Sequence, residues 1–259
     1  MDDPIYLTRD GAVATIVLNR PGKLNAMSVA MARRLQELMA DCDGDADLRC
    51  VVLRGAGGRA FSVGADIAEF EATRSSAAKA REYARLGNPA FQAVRACRHP
   101  VVALIQGLCV GGGFGLAGVC DLRICGESSR FGVPIKRLGL VESHEEMEAV
   151  VRTIGGPAML EILLTGDLLE ASAALRIGFV NRVVPDDRVE DETYGVARKI
   201  AEGAPLAARW HKRFIHDLVA RRPLTDADRD AAYDCFDTED FRIGYRAFLA
   251  KITPRFVGR

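Results

Sequence analysis

The chain has 259 residues, of which 49% are hydrophobic and 27% are charged, and these proportions are ordinary for a globular protein with a sizeable core. Lysine plus arginine and aspartate plus glutamate both total 35, and this zero formal net charge argues against nucleic-acid or membrane-surface partners held by bulk charge. The acidic opening MDDPIYLTRD lacks an apolar signal core, and the seven cysteines form no Cys-x-x-Cys pair, so we expect a cytoplasmic protein with reduced thiols.

The first half of the chain is predicted to alternate strands and helices. A hairpin of residues 5–7 and 12–18 turns at Asp10-Gly11, and Ser28 is the expected N-cap of a helix over 28–39. The remaining predicted elements are a strand at 51–53, a helix at 77–95, and strands at 101–105 and 122–125, with 130–134 extended.

The second half is predicted to become entirely helical near its end. Helical patterns cover 141–153, 158–164 and 170–177, with a break at Gly155-Gly156-Pro157, and a strand covers 180–184. Only helices follow, at 189–202, 205–220, 226–236 and 241–250. The alternation implies a mainly parallel, buried sheet within residues 1–188 and a C-terminal helical region at 189–259.

Two glycine-rich loops share one plan, since each follows a short buried strand and leads into a helix. The first contains Gly64-Ala65-Asp66 and the second contains Gly111-Gly112-Gly113. Glycine lets another molecule approach the backbone closely, and the free N–H groups of a helix start favour an oxygen that carries negative charge. We therefore predict two converging N–H donors that stabilise an enolate or another oxyanion derived from a thioester.

The stretch 100–120 has an alternative interpretation as a membrane-spanning helix, because it carries no charge and is long enough to cross a bilayer. Its glycine triplet disfavours a continuous helix by about 1 kcal/mol per residue, and no basic flank orients it. We expect no membrane span. The four histidines make no metal-ligand spacing with the cysteines, so we expect no metal.

Six motifs, in order along nearly the whole chain, carry a family resemblance. They are LNRPGKLNAMS at 18–28, GGRAFSVGADI at 57–67, GLCVGGGFGLAGVCD at 107–121, RFGVP at 130–134, LLTGDLLEASAALRIGFVNRVVP at 163–185 and APLAARWHKRFI at 204–215. Together they resemble the crotonase, or enoyl-CoA hydratase/isomerase, superfamily. The resemblance implies an α/β fold with a spiral core of ββα repeats and a C-terminal helical region. It also implies a homotrimer or a dimer of trimers and an acyl-CoA ligand, with no cofactor besides the coenzyme A of the substrate.

The ligand site that this family resemblance implies can be transferred one residue at a time. The two oxyanion donors correspond to the N–H groups of Ala65 and Gly112, which also bind the substrate. The other positions that match coenzyme A contacts are Lys23, Asp66, Ile67, Ala68 and Lys251. Both lysines equally fit the alternative that they are solvated surface charges.

The two catalytic glutamates of the family's hydratases are missing. Their positions are occupied by Gly115 and Ile135. Loss of a general acid–base group usually costs about 10²- to 10⁴-fold in rate, so ordinary hydratase activity is in doubt. Replacement of the two glutamates by glycine and isoleucine also suggests a larger and less polar cavity, which fits a bulky or apolar acyl chain.

The segment LVESHEEME, at 140–148, offers replacement proton-transfer groups. Other branches of the superfamily use an acid at the position of Ser143, and its neighbour Glu142 would have a raised pKa if it were buried beside Ile135. His144 is a further candidate. The alternative is that these acids form the first turn of a helix and complement its dipole. Three functions stay open: a lyase or isomerase that works through an enolate, an acyl-CoA-binding protein without catalysis, and a thioester hydrolase.

Overall fold

The computed structural model describes residues 3–259, which form two β-sheets and the helices that cover them. The strands are β1 (Ile5–Asp10), β2 (Val13–Leu18), β3 (Cys50–Gly55), β4 (Ala60–Ser62), β5 (Val101–Ile105), β6 (Leu108–Val110), β7 (Leu122–Gly126), β8 (Arg130–Gly132), β9 (Leu169–Glu170) and β10 (Arg182–Val184). The helices are α1 (Val29–Gly44), α2 (Phe70–Arg74), α3 (Ala77–Ala96), α4 (Gly112–Gly118), α5 (His144–Thr165), α6 (Ala171–Arg176), α7 (Val189–Glu202), α8 (Pro205–Val219), α9 (Asp226–Asp230) and α10 (Glu239–Ala250).

Each repeat of one structural unit adds a strand to both sheets. The six-stranded sheet has the order β1-β2-β3-β5-β7-β10, and the four-stranded sheet has the order β4-β6-β8-β9. Each of the pairs β3–β4, β5–β6 and β7–β8 contributes one strand to each sheet before the chain enters a helix. Neighbours along the first sheet are parallel after the β1–β2 hairpin. The predicted spiral of ββα repeats is therefore confirmed.

Alternating side chains of the large sheet are buried on both faces. In β3, Val51 and Leu53 join the main core, whereas Cys50 and Val52 join a second apolar cluster with Val189 of α7. This is the period-two alternation of a strand that is covered on both sides. Helix α7 therefore packs directly on the sheet of the core. The division of the chain at residues 188 and 189 stays a prediction.

The structure differs from the predicted elements mainly in short or interrupted segments. Strands β4 and β6 have three residues each and β9 has two, which is too short for a periodic pattern, so the sequence predicts none of them. The expected helix at 226–236 is a short α9 followed by a 3₁₀ turn at Asp234–Asp237. The predicted break at 155–157 is confirmed, because Gly155 is non-helical, with a φ of 79° and a ψ of 162°, and joins two helical stretches of α5 across a kink.

The uncharged stretch 100–120 does not form one helix. It contains β5, β6 and α4, joined by short turns. Within residues 3–259, no helix is long and apolar enough to cross a membrane.

Candidate active site

The two predicted glycine loops lie against each other. A Cβ atom on Gly64 would be 2.6 Å from the backbone nitrogen of Gly112, and the φ of Gly64 is +87°. Conversely, a Cβ atom on Gly112 would lie 3.8 Å from the nitrogen of Ala65. Glycine is thus required at Gly64 both by its conformation and by the close approach of the second loop. The N–H groups of Ala65 and Gly112 are neighbours in space.

The loop after β4 is held so that the N–H of Ala65 stays free. The Met27 N–H donates to the Gly64 carbonyl at 2.7 Å, and the Asp66 N–H donates to the Met27 carbonyl at 2.9 Å. These bonds flank Ala65, whose N–H makes no hydrogen bond to residues 3–259. The Ser62 hydroxyl fixes the same turn by accepting the Gly64 N–H at 3.1 Å.

The loop after β6 presents the second donor. The Gly111 N–H donates to the Gly132 carbonyl at 2.8 Å, which anchors the loop to β8. Gly112 begins α4, so its N–H has no partner inside the helix. Gly113 packs directly on β4, because a Cβ atom there would be 2.1 Å from the Ser62 carbonyl oxygen.

Ala65 and Gly112, the residues of the two N–H donors, both line one cavity of about 130 Å³. Most of its wall is apolar, and its charged members are Arg74, Glu142 and Glu146. The full lining is Met27, Ala32, Val63, Gly64, Ala65, Ile67, Phe70, Arg74, Tyr83, Gly87, Asn88, Phe91, Gly111, Gly112, Ile135, Leu138, Leu140, Val141, Glu142 and Glu146. An anionic oxygen bound to the N–H pair would therefore lie in the same cavity as two carboxyl groups.

Glu142 lines this cavity and has an unusual affinity for its proton. Burial, together with the charge and hydrogen bond of the neighbouring Glu146 carboxyl, raises the pKa of Glu142 from 4.5 to about 8. The positive charge of Arg74 acts in the opposite direction but is the smallest effect. Glu142 therefore holds a proton at neutral pH, and it has the pKa expected of a group that exchanges protons there.

The start of α5 places Glu146 beside Glu142. The Ser143 hydroxyl accepts the Glu146 N–H at 3.3 Å, while the Glu146 carboxylate accepts the Ser143 N–H at 2.9 Å. This capping box folds the Glu146 side chain back toward the residue before the helix. Sequence reasoning assigned Glu146 only to the helix start, whereas the structure gives it both the cap and a place in the cavity wall.

The other acid–base candidates of this segment point elsewhere. His144 and Glu145 are exposed and do not line the cavity. Glu148 pairs with Arg95 at 3.2 Å and with Arg152 at 2.6 Å. Glu142 and Glu146 are therefore the acids of this segment that line the cavity together with Ala65 and Gly112.

The two positions that lack glutamates do not both leave empty space. Ile135 lines the cavity, but Gly115 is covered by Phe91, whose ring lies 3.3 Å from where a Cβ atom on Gly115 would be. Phe91 comes from α3 and is itself part of the cavity wall. The space expected from the loss of one glutamate is thus partly occupied by an aromatic ring.

Asp66 and Lys23 are engaged with each other. The Asp66 carboxylate accepts from Arg20 at 2.8 Å and from Lys23 at 3.1 Å, and these bonds lower its pKa to about 2. Asp66 also accepts the Ala68 N–H at 3.1 Å and does not line the cavity. These contacts position the loop that presents the Ala65 N–H.

The remaining predicted coenzyme A contacts lie at the surface. Ile67 is 60% exposed and reaches the cavity rim, and Ala68 is exposed beside it. Lys251 is exposed just after α10, with a φ of 55°, and it does not line the cavity. The structure therefore brings Ala65, Gly112, Glu142 and Ile67 to one cavity and leaves Lys251 outside it.

Sequence reasoning did not assign Arg74 or Phe91 to the site, and it noted Tyr83 only as close to the first loop in sequence. Arg74 closes α2, and Tyr83 and Phe91 lie on α3, two turns apart on one face. In the sequence, Tyr83 and Phe91 are ordinary members of the predicted helix at 77–95, and Arg74 lies just before it. Only the packing of α2 and α3 over the two loops gives them a place in the site.

Comparisons with known proteins agree with the motifs. Residues 8–259 match the family model described as enoyl-CoA hydratase/isomerase. The short-chain-enoyl-CoA hydratase of Clostridium acetobutylicum is 31% identical over 253 residues, which cover 95% of this chain and 95% of that protein. The crotonyl-CoA hydratase of Syntrophomonas wolfei is 31% identical over 261 residues, with 98% of each chain covered. The crystal structure of an enoyl-CoA hydratase/carnithine racemase from Magnetospirillum magneticum has a TM-score of 0.97 and 44% identity, and the match covers 100% of this chain and 97% of that chain.

Proposed function

This chain belongs to the enoyl-CoA hydratase/isomerase family, and we propose that it catalyses proton transfer at the carbon atom beside an acyl-CoA thioester. The observation that carries the proposal is that Glu142 lines one cavity with two free backbone N–H groups. The reaction runs through an enolate bound to those N–H groups, with Glu142 and Glu146 as the proton-transfer pair.

The N–H groups of Ala65 and Gly112 bind the thioester oxygen. As a proton leaves C2 of the acyl group, negative charge moves to this oxygen, and two fixed dipoles in an apolar cavity stabilise that charge without reorganising. Removal of one such donor typically costs about 2.7–4 kcal/mol in the transition state. The proposal needs no bound metal or additional cofactor.

The carboxyl pair shares one proton, which suits both reactions that the family name covers. In isomerisation, the ionised member takes a proton from C2 and the protonated member gives one to C4, while the double bond moves from C3–C4 to C2–C3. In hydration, a water oxygen bonds to C3, its proton goes to the carboxylate, and the acid protonates C2. Each sequence leaves the pair with the same number of protons.

The common step can be tested without knowledge of the product. A saturated acyl-CoA incubated with the protein in D₂O should exchange hydrogen for deuterium at C2, which mass spectrometry detects. Glu142→Gln should slow this exchange by about 10²- to 10⁴-fold, because the amide cannot carry the proton. Glu145→Gln is the matched control, since Glu145 lies on the same helix but is exposed, and its exchange rate should be unchanged.

Two other functions remain as outcomes of this experiment. An acyl-CoA-binding protein without catalysis is favoured by Gly115 and Ile135, which replace both customary carboxylates, and it would bind the thioester without exchange. A thioester hydrolase would release free coenzyme A, which a thiol reagent measures. Full exchange activity in Glu142→Gln would show that Glu142 is not the proton-transfer group.

A further inference from the structure

Arg74 is a cation in the cavity wall with no anionic partner. Its guanidinium lies 4.0 Å from the ring centroid of Tyr83 and 4.6 Å from that of Phe70. Its Nε atom is buried without a hydrogen-bond partner, and within residues 3–259 the side chain forms no ion pair. The side chain is thus held by aromatic stacking while its hydrogen-bonding edge stays unused.

This arrangement contrasts with other arginines of the chain. Arg95 and Arg152 share Glu148, and Arg222 binds both Asp217 and Asp228. A buried N–H without an acceptor destabilises the protein, whereas a ligand that supplies the acceptor gains that interaction on binding. A planar guanidinium stacked on aromatic rings presents the forked edge that binds a carboxylate through two parallel hydrogen bonds.

The other charged groups of the cavity do not satisfy Arg74. The Glu146 carboxylate accepts the Ser143 N–H and is hydrogen-bonded to Glu142. One shared proton leaves this pair a single negative charge, but that charge is already engaged in the Ser143 and Glu142 contacts, and neither carboxyl group forms an ion pair with Arg74. No other carboxylate lines the cavity among the residues that the structure describes.

We propose that Arg74 binds a carboxylate at the far end of the acyl group, so that the substrates are coenzyme A thioesters of short dicarboxylic acids. The inference deepens the proposed function and rests on its assignment of Ala65 and Gly112 as the thioester site. The apolar wall between these ends, which includes Ile135 and Phe91, would contact the carbon chain. With the thioester oxygen bound to Ala65 and Gly112, the far end of a short acyl chain would lie inside the cavity whose wall includes Arg74.

The test compares two saturated ligands that differ at the far end of the chain. Calorimetric titration should show that glutaryl-CoA binds the wild type at least tenfold more tightly than pentanoyl-CoA, which has the same number of acyl carbons. Arg74→Met should weaken the binding of glutaryl-CoA by tenfold or more and change the affinity for pentanoyl-CoA by less than threefold. Arg81→Met, an exposed position on the neighbouring α3, should change neither.

Two results would overturn the inference. One is equal affinity of the wild type for both ligands, which is decisive even if the Arg74 variant does not fold. The other is equal weakening of both ligands by Arg74→Met. In that second case, loss of the effect with N-acetylcysteamine thioesters, which lack phosphates, would assign Arg74 to the coenzyme A phosphates instead.

The same proteins separate this inference from the proposed function. An Arg74-dependent preference for glutaryl-CoA without deuterium exchange at C2 would support the ligand class and reject the enzyme. Exchange at C2 with no preference between the two ligands would support the enzyme and reject the ligand class. Binding and exchange are independent measurements, so neither result obscures the other.

Discussion

Glu142 and Glu145 are two glutamates in one acidic segment, and their surroundings make them chemically different. Glu142 precedes α5 and lies in the cavity wall, whereas Glu145 lies in the first helical turn and is exposed. The sequence predicted the segment and named Glu142 as the acid for the cavity. The proximity of Glu146 came only from the capping box, because that box folds the side chain back toward the residue before the helix.

The raised pKa of Glu142 makes a prediction about stability. The unfolded chain loses the Glu142 proton near pH 4.5, whereas the folded protein keeps it up to about pH 8. The free energy of unfolding should therefore fall as pH rises from 4.5 to about 8. Glu142→Gln cannot ionise and should remove that slope. We expect it to be more stable than the wild type by roughly 1–3 kcal/mol at pH 8.5, since one pKa unit corresponds to about 1.4 kcal/mol.

Urea unfolding at pH 5 and pH 8.5 measures this difference. Glu145→Gln is again the matched control and should follow the wild type, because Glu145 is exposed. If wild type and Glu142→Gln changed in parallel with pH, the proton on Glu142 would not be linked to folding.

At the scale of elements, the site depends on how closely β4 and α4 approach. Gly64 and Gly113 both face backbone atoms of the other segment, at distances that exclude any side chain. Two short strands, β4 and β6, run parallel and therefore end at the same edge of their sheet, where the loops meet. The convergence of the two N–H donors is thus a consequence of strand pairing.

Gly64→Ala should separate the two N–H donors. Its Cβ atom would be 2.6 Å from the Gly112 nitrogen, so one loop must move, and we expect C2 exchange to fall by about 10²- to 10³-fold. Gly58→Ala is the matched control, because Gly58 also has a positive φ, of +67°, but a Cβ atom there meets nothing within 4 Å.

Both variants incur the backbone strain of a left-handed alanine, which costs about 1–2 kcal/mol and is visible in thermal unfolding. Only the variant with the steric clash should lose activity. An equal loss of exchange in both variants would mean that strain, rather than donor geometry, is responsible.

The sequence predicted long elements better than short ones. Helix α7 was expected at 189–202 and has those bounds, since its apolar positions repeat with helical spacing. The three-residue β6 was missed because its identity depends on pairing with β4 and β8, which no local pattern reveals. The omission of β6 affects the site, because this strand ends just before Gly112.

At the scale of the whole molecule, the C-terminal helices are bound to the rest of the chain through Asp121 and also expose an apolar surface. The Lys212 ammonium of α8 pairs with Asp121 at 2.7 Å, and His216 of α8 lies 3.3 Å from the same carboxylate. Exposed apolar side chains on or beside α8 and α10 include Ile215, Leu218, Val219, Phe248, Leu249 and Ile252. Large exposed apolar areas are typical of interaction surfaces, which accords with the homotrimer or dimer of trimers expected from the family resemblance.

Phe248→Glu should convert the predicted oligomer to monomers. Phe248 is 84% exposed in the single chain, and a charge there would oppose burial against another copy. Light scattering coupled to size-exclusion chromatography measures the mass, and Phe248→Leu, which stays apolar, should keep the assembly. A wild-type protein that elutes as a monomer would reject the prediction.

The sequence by itself determined the family, the order of the longer strands and helices and the identity of the two loops, because these depend on local patterns and on motifs. It also showed that Gly115 and Ile135 lack carboxylates. Only the tertiary structure decided that Glu146 joins Glu142, that Phe91 covers Gly115 and that Arg74 enters the cavity unpaired. These facts depend on contacts between residues far apart in the chain or on the direction of a side chain, and neither is encoded by local periodicity.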